Sequence, residues 1–230
     1  MMRTGIPSGV PFALTEPGRS GADIALLDPA GSLLFATVSD FTDIKGTIVD
    51  LTGLVPVRGP EFLINTTSLL GNFLPKVAID PFTGSSVVVW EAVSGNQGDA
   101  VNVRARRYDA EGNPIGDDFR VNTTTANSQG QPDVAFGPGG FSVAVWTGDT
   151  ADFQNDSTDV FARVYDAEGN PLGDEIPVNT STAGRQDGPD INFLPQLDAE
   201  GRPQFVVSWR DVQINESGDP TDLPIGTGVG

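Results

Sequence analysis

Two short stretches carry the side chains best suited to chemistry. Tyr108–Asp118 reads YDAEGNPIGDD and Tyr165–Glu175 reads YDAEGNPLGDE. Asp109, Glu111 and Asn113 in the first, and Asp166, Glu168 and Asn170 in the second, put oxygen atoms at alternate positions beside a glycine. Such a set suits a hard cation, so bound Ca²⁺ is one reading. The pattern lacks the bidentate acid that closes an EF-hand loop, and Asp-Ala-Glu-Gly-Asn-Pro also makes a tight hairpin with its glycine in the left-handed region. Asp198 and Glu200 form a partial copy. A second acidic group, Asp149, Asp152, Asn155, Asp156 and Asp159, reads either as a unique Ca²⁺ loop or as solvated surface.

Other chemistry is excluded by composition. The 230 residues include no Cys and no His. Disulfides, thiolate and imidazole metal sites and Ser–His–Asp triads are therefore absent. A net charge of −18 makes nucleic acid and anionic membranes poor partners. No apolar segment is long enough to span a bilayer, so no direct membrane insertion is expected. Carboxylate pairs for glycoside hydrolysis are conceivable among 31 acids. No acid is singled out, however, by breaking the repeat at a strand end. With no nucleophile motif and no phosphate loop, no catalytic or cofactor-binding residue is assigned. Arg104, Arg106, Arg107 and Arg120 form the one basic cluster, placed to pair with acids of a neighbouring unit or a partner.

These residues sit in a repeat. The two YDAEG stretches lie 57 positions apart, and the segments after them keep step. Asn65, Asn122 and Asn179 each open an Asn-Thr-Thr or Asn-Thr-Ser run. Pro75, Pro132 and Pro189 follow, and then apolar runs ending in Trp90, Trp146 and Trp209. A weaker copy covers residues 22–65. Each unit reads as four short strands separated by Gly, Pro, Asn and Asp, with no 3.6-residue period to suggest helix. The second strand, such as SVVVW or FSVAVW, is almost wholly apolar and so must be covered on both faces.

The chain is accordingly predicted to be all-β: a β-propeller of about four four-stranded blades in a single domain over 1–230. The units run about 17–65, 66–122, 123–179 and 180–230, with residues 10–16 (VPFALTE) completing the last blade and shutting the ring. The three Trp side chains would then pack between blades rather than stack on sugar. The three repeat Asn residues would cap turns rather than carry glycans.

The pattern VNT-x-T, PDVA, G-F-x-V-x-W and R-x-Y-D-A-x-G resembles the blade repeats of secreted bacterial surface proteins found beside RTX-type and cadherin-like modules. That resemblance implies export from a Gram-negative bacterium to the surface or medium, and an adhesive or structural role. The N-terminus does not read as a cleavable signal. The leading expectation is therefore a non-enzymatic extracellular module or assembly subunit that acts through contacts with a protein partner or with itself. The alternative is a carbohydrate-binding or glycoside-cleaving propeller.

Overall fold

The computed structural model describes residues 20–26, 33–53, 55–67, 69–96, 99–149, 157–199, 203–214, 220–222 and 226–229. Residues 10–16, expected to close the ring, lie outside this set.

The described chain is all-β and is built from four successive antiparallel meanders, the blades of a propeller. Blade one comprises β1 (Ser20–Leu26), β2 (Leu33–Ser39), β3 (Ile44–Asp50) and a split outer strand, β4 (Val57–Arg58) with β5 (Phe62–Leu63). Blade two comprises β6 (Gly71–Ile79), β7 (Ser86–Asn96), β8 (Asp99–Tyr108) and β9 (Pro114–Arg120). Blade three comprises β10 (Asn127–Phe136), β11 (Ser142–Asp149), β12 (Thr158–Tyr165) and β13 (Ile176–Pro177). Blade four comprises β14 (Arg185–Leu197), β15 (Pro203–Ile214), β16 (Pro220–Asp222) and β17 (Gly226–Val229). In blade four, β17 takes the third-strand place beside β15.

The first strands line the axis. β1 packs on β6, β6 on β10 and β10 on β14. Brief parallel pairings at Asn127–Ser128 with β8, and at Arg185 with Thr158 of β12, tie one blade to the next. Among the described residues β14 and β1 are not packed in this way.

The apolar second strands explain the stacking. Val88, Trp90 and Ala92 of β7 point at blade one, where they bury against Phe35, Ile44 and Ile64. Val87 and Val89 of the same strand point at blade three and meet Trp146 and Val134. One strand thus feeds two interfaces through its period of two. β11 repeats the arrangement, with Ala144 and Trp146 facing blade two, and Val143 and Val145 facing Val207 and Trp209 of blade four. Trp90 and Trp146 are fully buried. Their indole N–H groups donate to Asn72 (2.9 Å) and Gln129 (3.1 Å) of their own first strands. The indoles therefore fill the seams between blades and are not a sugar platform.

The repeat Asn residues also have a structural task. Asn65, Asn122 and Asn179 accept from the backbone N–H groups of Ile44 (2.8 Å), Val103 (2.9 Å) and Val160 (2.7 Å). All three are buried. Each pins its blade's third strand, which leaves no room for a glycan. The prolines mark a recurrent bulge. Strand register slips between Phe73 and Lys76, Gly130 and Asp133, and Asp187 and Asp190. The residue before each proline, Leu74, Gln131 or Gly188, has φ of 48°, 50° or 60°. Pro supplies no ladder donor, and the positive φ of its predecessor breaks the extended course of the chain, so the strand bends there.

Candidate functional site

The face carrying the starts of the first strands, the end of β11 and the start of β12 opens into a cleft of about 250 Å³ between blades three and four. Gly130, Gln131, Thr147 and Asp149 form its blade-three wall, with Arg185 and Asp187 on the blade-four side. Gln131, the bulge residue of β10, is the hub. Its N–H donates to Glu91 Oε1 of blade two at 2.6 Å. Its side-chain oxygen accepts from the N–H of Gly188, the bulge residue of blade four, at 2.7 Å, and from Thr147 Oγ1 at 3.3 Å. Groups from three blades thus converge on one residue.

Glu91 reaches this point because position 130 is glycine. A Cβ there would lie 2.6 Å from Glu91 Oε1. Burial of Glu91 pushes its carboxyl above the usual glutamate range, and the Gln131 N–H only partly opposes this. Asp187 has the opposite setting. Burial alone would raise it, but hydrogen bonds from Arg210 (2.8 Å) and Arg185 (2.6 Å) outweigh that and hold it below the usual range. One carboxyl inclined to keep its proton, Glu91, thus sits against Gly130 and Gln131 of the cleft wall, and one held ionised, Asp187, lines the cleft itself.

The sequence-predicted residues lie elsewhere. Asp109, Glu111 and Asn113 form the β8–β9 turn, and Asp166, Glu168 and Asn170 the corresponding turn after β12. Asp109 Oδ1 accepts from the N–H groups of Glu111 (3.1 Å) and Asn113 (2.8 Å), while Oδ2 accepts from Asn113 Nδ2 (3.0 Å). Asp166 accepts from Asn170 N (2.7 Å) and Nδ2 (3.0 Å). These bonds, the Asn side-chain donor first, hold both aspartates below their usual range. Gly112 and Gly169 have φ of 81° and 85°, as the hairpin requires. Each trio is thus assembled as a self-bonded turn. Among the described residues no three acidic side chains converge as metal ligands.

Asp149 lines the axial cleft, whereas Asp159 is buried and accepts from Asn179 Nδ2 at 2.6 Å. Asp152, Asn155, Asp156 and Glu200 lie outside the described residues. Two members of the arginine cluster reach neighbouring blades and two stay within their own. Arg104 pairs with Asp118 at 2.8 Å. Arg106 donates to the Ile64 carbonyl of blade one at 2.9 Å. Arg107 donates to the carbonyls of Ala167 and Glu168 in blade three. Arg120 is exposed on β9, in register with Arg104.

The expectation that no acid breaks the repeat needs correcting. Glu91 follows Trp90 where Thr147 and Arg210 follow the other two tryptophans. Asp187 stands where the preceding unit has Gly130. Both departures were available as signals once the repeat was aligned.

No protein-family model and no curated protein matches the chain. Solved structures do. An endo-arabinase from Bacteroides thetaiotaomicron is 15% identical with TM-score 0.43, over 84% of this chain and 69% of its own. TolB from Acinetobacter baumannii is 11% identical with TM-score 0.46, over 92% of this chain and 43% of its own, so the present chain spans less than half of that protein. An alpha-L-arabinofuranosidase from Fusarium graminearum, bound to an iminosugar inhibitor, is 11% identical with TM-score 0.47, over 93% and 77%. The expectation of a non-enzymatic module working through protein contacts is corrected at this point. The similar structures are mostly arabinanases and arabinofuranosidases, which are enzymes, and they match the carbohydrate alternative instead. At these identities and TM-scores below 0.5, the chemistry has to be read from the cleft itself.

Proposed function

We propose that this propeller binds a glycan across the axial cleft and cleaves a glycosidic bond there. The observation that carries the reading is a pair of carboxyls on either side of Gln131, which bonds Glu91 directly and the backbone of Gly188 next to Asp187; they are pushed in opposite directions, Glu91 towards protonation and Asp187 towards ionisation. Glycoside cleavage needs that division of labour. A protonated acid gives its proton to the departing oxygen, and an ionised carboxylate on the other side activates water or attacks the sugar. Glu91 is assigned the first role and Asp187 the second. Arg185 and Arg210 keep Asp187 charged, and Gln131 holds the two sides in register.

The test is reducing-sugar release from a panel of plant and bacterial polysaccharides by the wild-type chain, Glu91→Gln and Asp187→Asn. Release by wild type, and a loss of about 100-fold or more in each variant, is expected from removing a general acid or its partner. A wild-type chain that releases nothing across the panel, or a Glu91→Gln variant as fast as wild type, overturns the assignment.

A further inference from the structure

A cavity larger than the axial cleft lies at the opposite end of the strands, between blades two and three. There the hairpin Asp80–Ser85 of blade two faces the turn Gly137–Gly140 of blade three, and the cavity measures about 420 Å³. That is within the usual range for a small-molecule site, about 300–1,000 Å³. Its walls include Asp80, Phe82, Thr83, Arg107, Gly140 and Ala167.

Phe82 is the unusual member. It is 78% exposed, more than any other large apolar side chain described. It is also held firmly. Asp80 Oδ1 accepts from Phe82 N at 2.9 Å, and Asp80 Oδ2 from Thr83 Oγ1 at 2.7 Å. The hairpin is closed by Asp80 N to the Ser85 carbonyl and by Gly84 N to the Asp80 carbonyl, both at 2.8 Å. A rigid turn thus presents an aromatic face to water at the mouth of a cavity. The other units have no aromatic at this place, since blade three has Pro-Gly-Gly. What recurs in a repeat protein serves the architecture, and Phe82 does not recur.

The rest of the cavity sets the ligand. Both charges at the cavity are already engaged, Asp80 (1% exposed) in bracing the hairpin and Arg107 with the Ala167 and Glu168 carbonyls, so an uncharged ligand is favoured. Thr83 and Ser85 are hydrogen-bonding groups beside the apolar ring. Gly140 keeps the far wall low, since a Cβ there would lie 2.9 Å from that of Ala167. A flat, uncharged, hydroxyl-bearing ring satisfies both kinds of surface, with one face on the aromatic ring and its edge towards the polar groups.

We propose that this cavity is a second carbohydrate-binding site, taking a neutral sugar ring stacked on Phe82. It shares the carbohydrate reading given to the axial cleft but depends on different residues on the opposite face. It would hold a polysaccharide without cutting it.

The test is affinity electrophoresis in gels containing neutral polysaccharides (arabinan, xylan, glucan, mannan), with wild type, Phe82→Ala, Phe82→Trp and Glu91→Gln. Phe82 is too exposed for its truncation to unfold the chain. The expected result is retardation of wild type on at least one polysaccharide, an affinity at least tenfold weaker in Phe82→Ala, recovery in Phe82→Trp, and wild-type retardation in Glu91→Gln. Wild-type affinity in Phe82→Ala overturns the second site, even if Glu91→Gln abolishes cleavage and so upholds the axial cleft. Loss in Phe82→Ala upholds the second site, even if no polysaccharide is cleaved and the axial assignment falls. A wild-type chain retarded by none of the four overturns the second site.

Discussion

Asn122 offers the sharpest test of how the blades are held. Its Oδ1 accepts from the Val103 N–H at 2.9 Å, and its Nδ2 donates to Asn102 Oδ1 and to the Thr124 carbonyl, both at 2.8 Å. Asn122 is 1% exposed and Val103 fully buried. In Asn122→Ala the Val103 N–H loses its acceptor in a dry place, which costs about 1–3 kcal/mol. Each of the two donated bonds adds about 0.5–1.5 kcal/mol. The sum is about 2–6 kcal/mol, a large part of the 5–15 kcal/mol typical of a domain. Asn113→Ala is the matched control, because its bonds to Asp109 lie in an exposed turn, and less than about 1 kcal/mol is expected there. Urea denaturation read by tryptophan fluorescence, with slopes compared for constancy, measures both. Asn122→Asp separates the two halves of the amide. It retains an acceptor for Val103 but sets a carboxylate against two acceptor oxygens, so its stability should fall at neutral pH and partly recover in acid as the carboxyl is protonated. An Asn122→Ala variant within about 1 kcal/mol of wild type, or no more costly than Asn113→Ala, would refute the view that these asparagines anchor the third strands.

Two further outcomes are expected. Gly169 has φ of +85°, and a Cβ there would collide with the Arg107 guanidinium that clips blade two to blade three. Gly169→Ala should therefore destabilise by about 1–3 kcal/mol, and by more than Gly116→Ala, where φ is +78° but the space is open; equal melting temperatures for the two would count against the clip. Acid stability should follow the acids held by strong hydrogen bonds. Asp118, Glu175 and Asp187 are all held below their usual range, since their hydrogen bonds outweigh burial. Their contribution is present above the unfolded carboxyl values near 4 and is lost as pH falls through the folded ones, so stability should decline in acid. Glu175→Gln should flatten that decline. Glu91 has the reverse sign: its raised folded value costs stability as pH rises through it, so Glu91→Gln should be at least as stable as wild type at pH 7. A Glu91→Gln chain less stable than wild type at pH 7, or an unchanged acid limb in Glu175→Gln, contradicts these assignments.

What could be read from the chain before any coordinates follows from recurrence. Trp90, Trp146 and Trp209 recur because every interface needs the same filler, and Asn65, Asn122 and Asn179 because every third strand needs the same pin. Repetition thus exposed the architecture but concealed the proposed site, because it draws the eye to recurrent positions such as the Asp109 and Asp166 turns. Those aspartates recur to close hairpins. A site on a repeat scaffold requires asymmetry, since an acid and its counterpart must differ. The informative positions are accordingly those where one unit departs from the others without loss of the strand. Glu91 replaces Thr or Arg after the tryptophan, Asp187 replaces Gly before the bulge, and Phe82 interrupts a glycine turn. Sequence alone could flag these three as departures but could not group them. Glu91 meets Gln131 across 40 positions, and Gln131 meets Gly188 across 57, only because the arc brings successive first strands side by side. Phe82 falls on the far face because hairpin turns and interblade linkers alternate between the two ends of each meander. The separation of the face proposed to cleave from the face proposed to hold is thus a consequence of strand order, and moving Phe82 by one hairpin would place it on the other side.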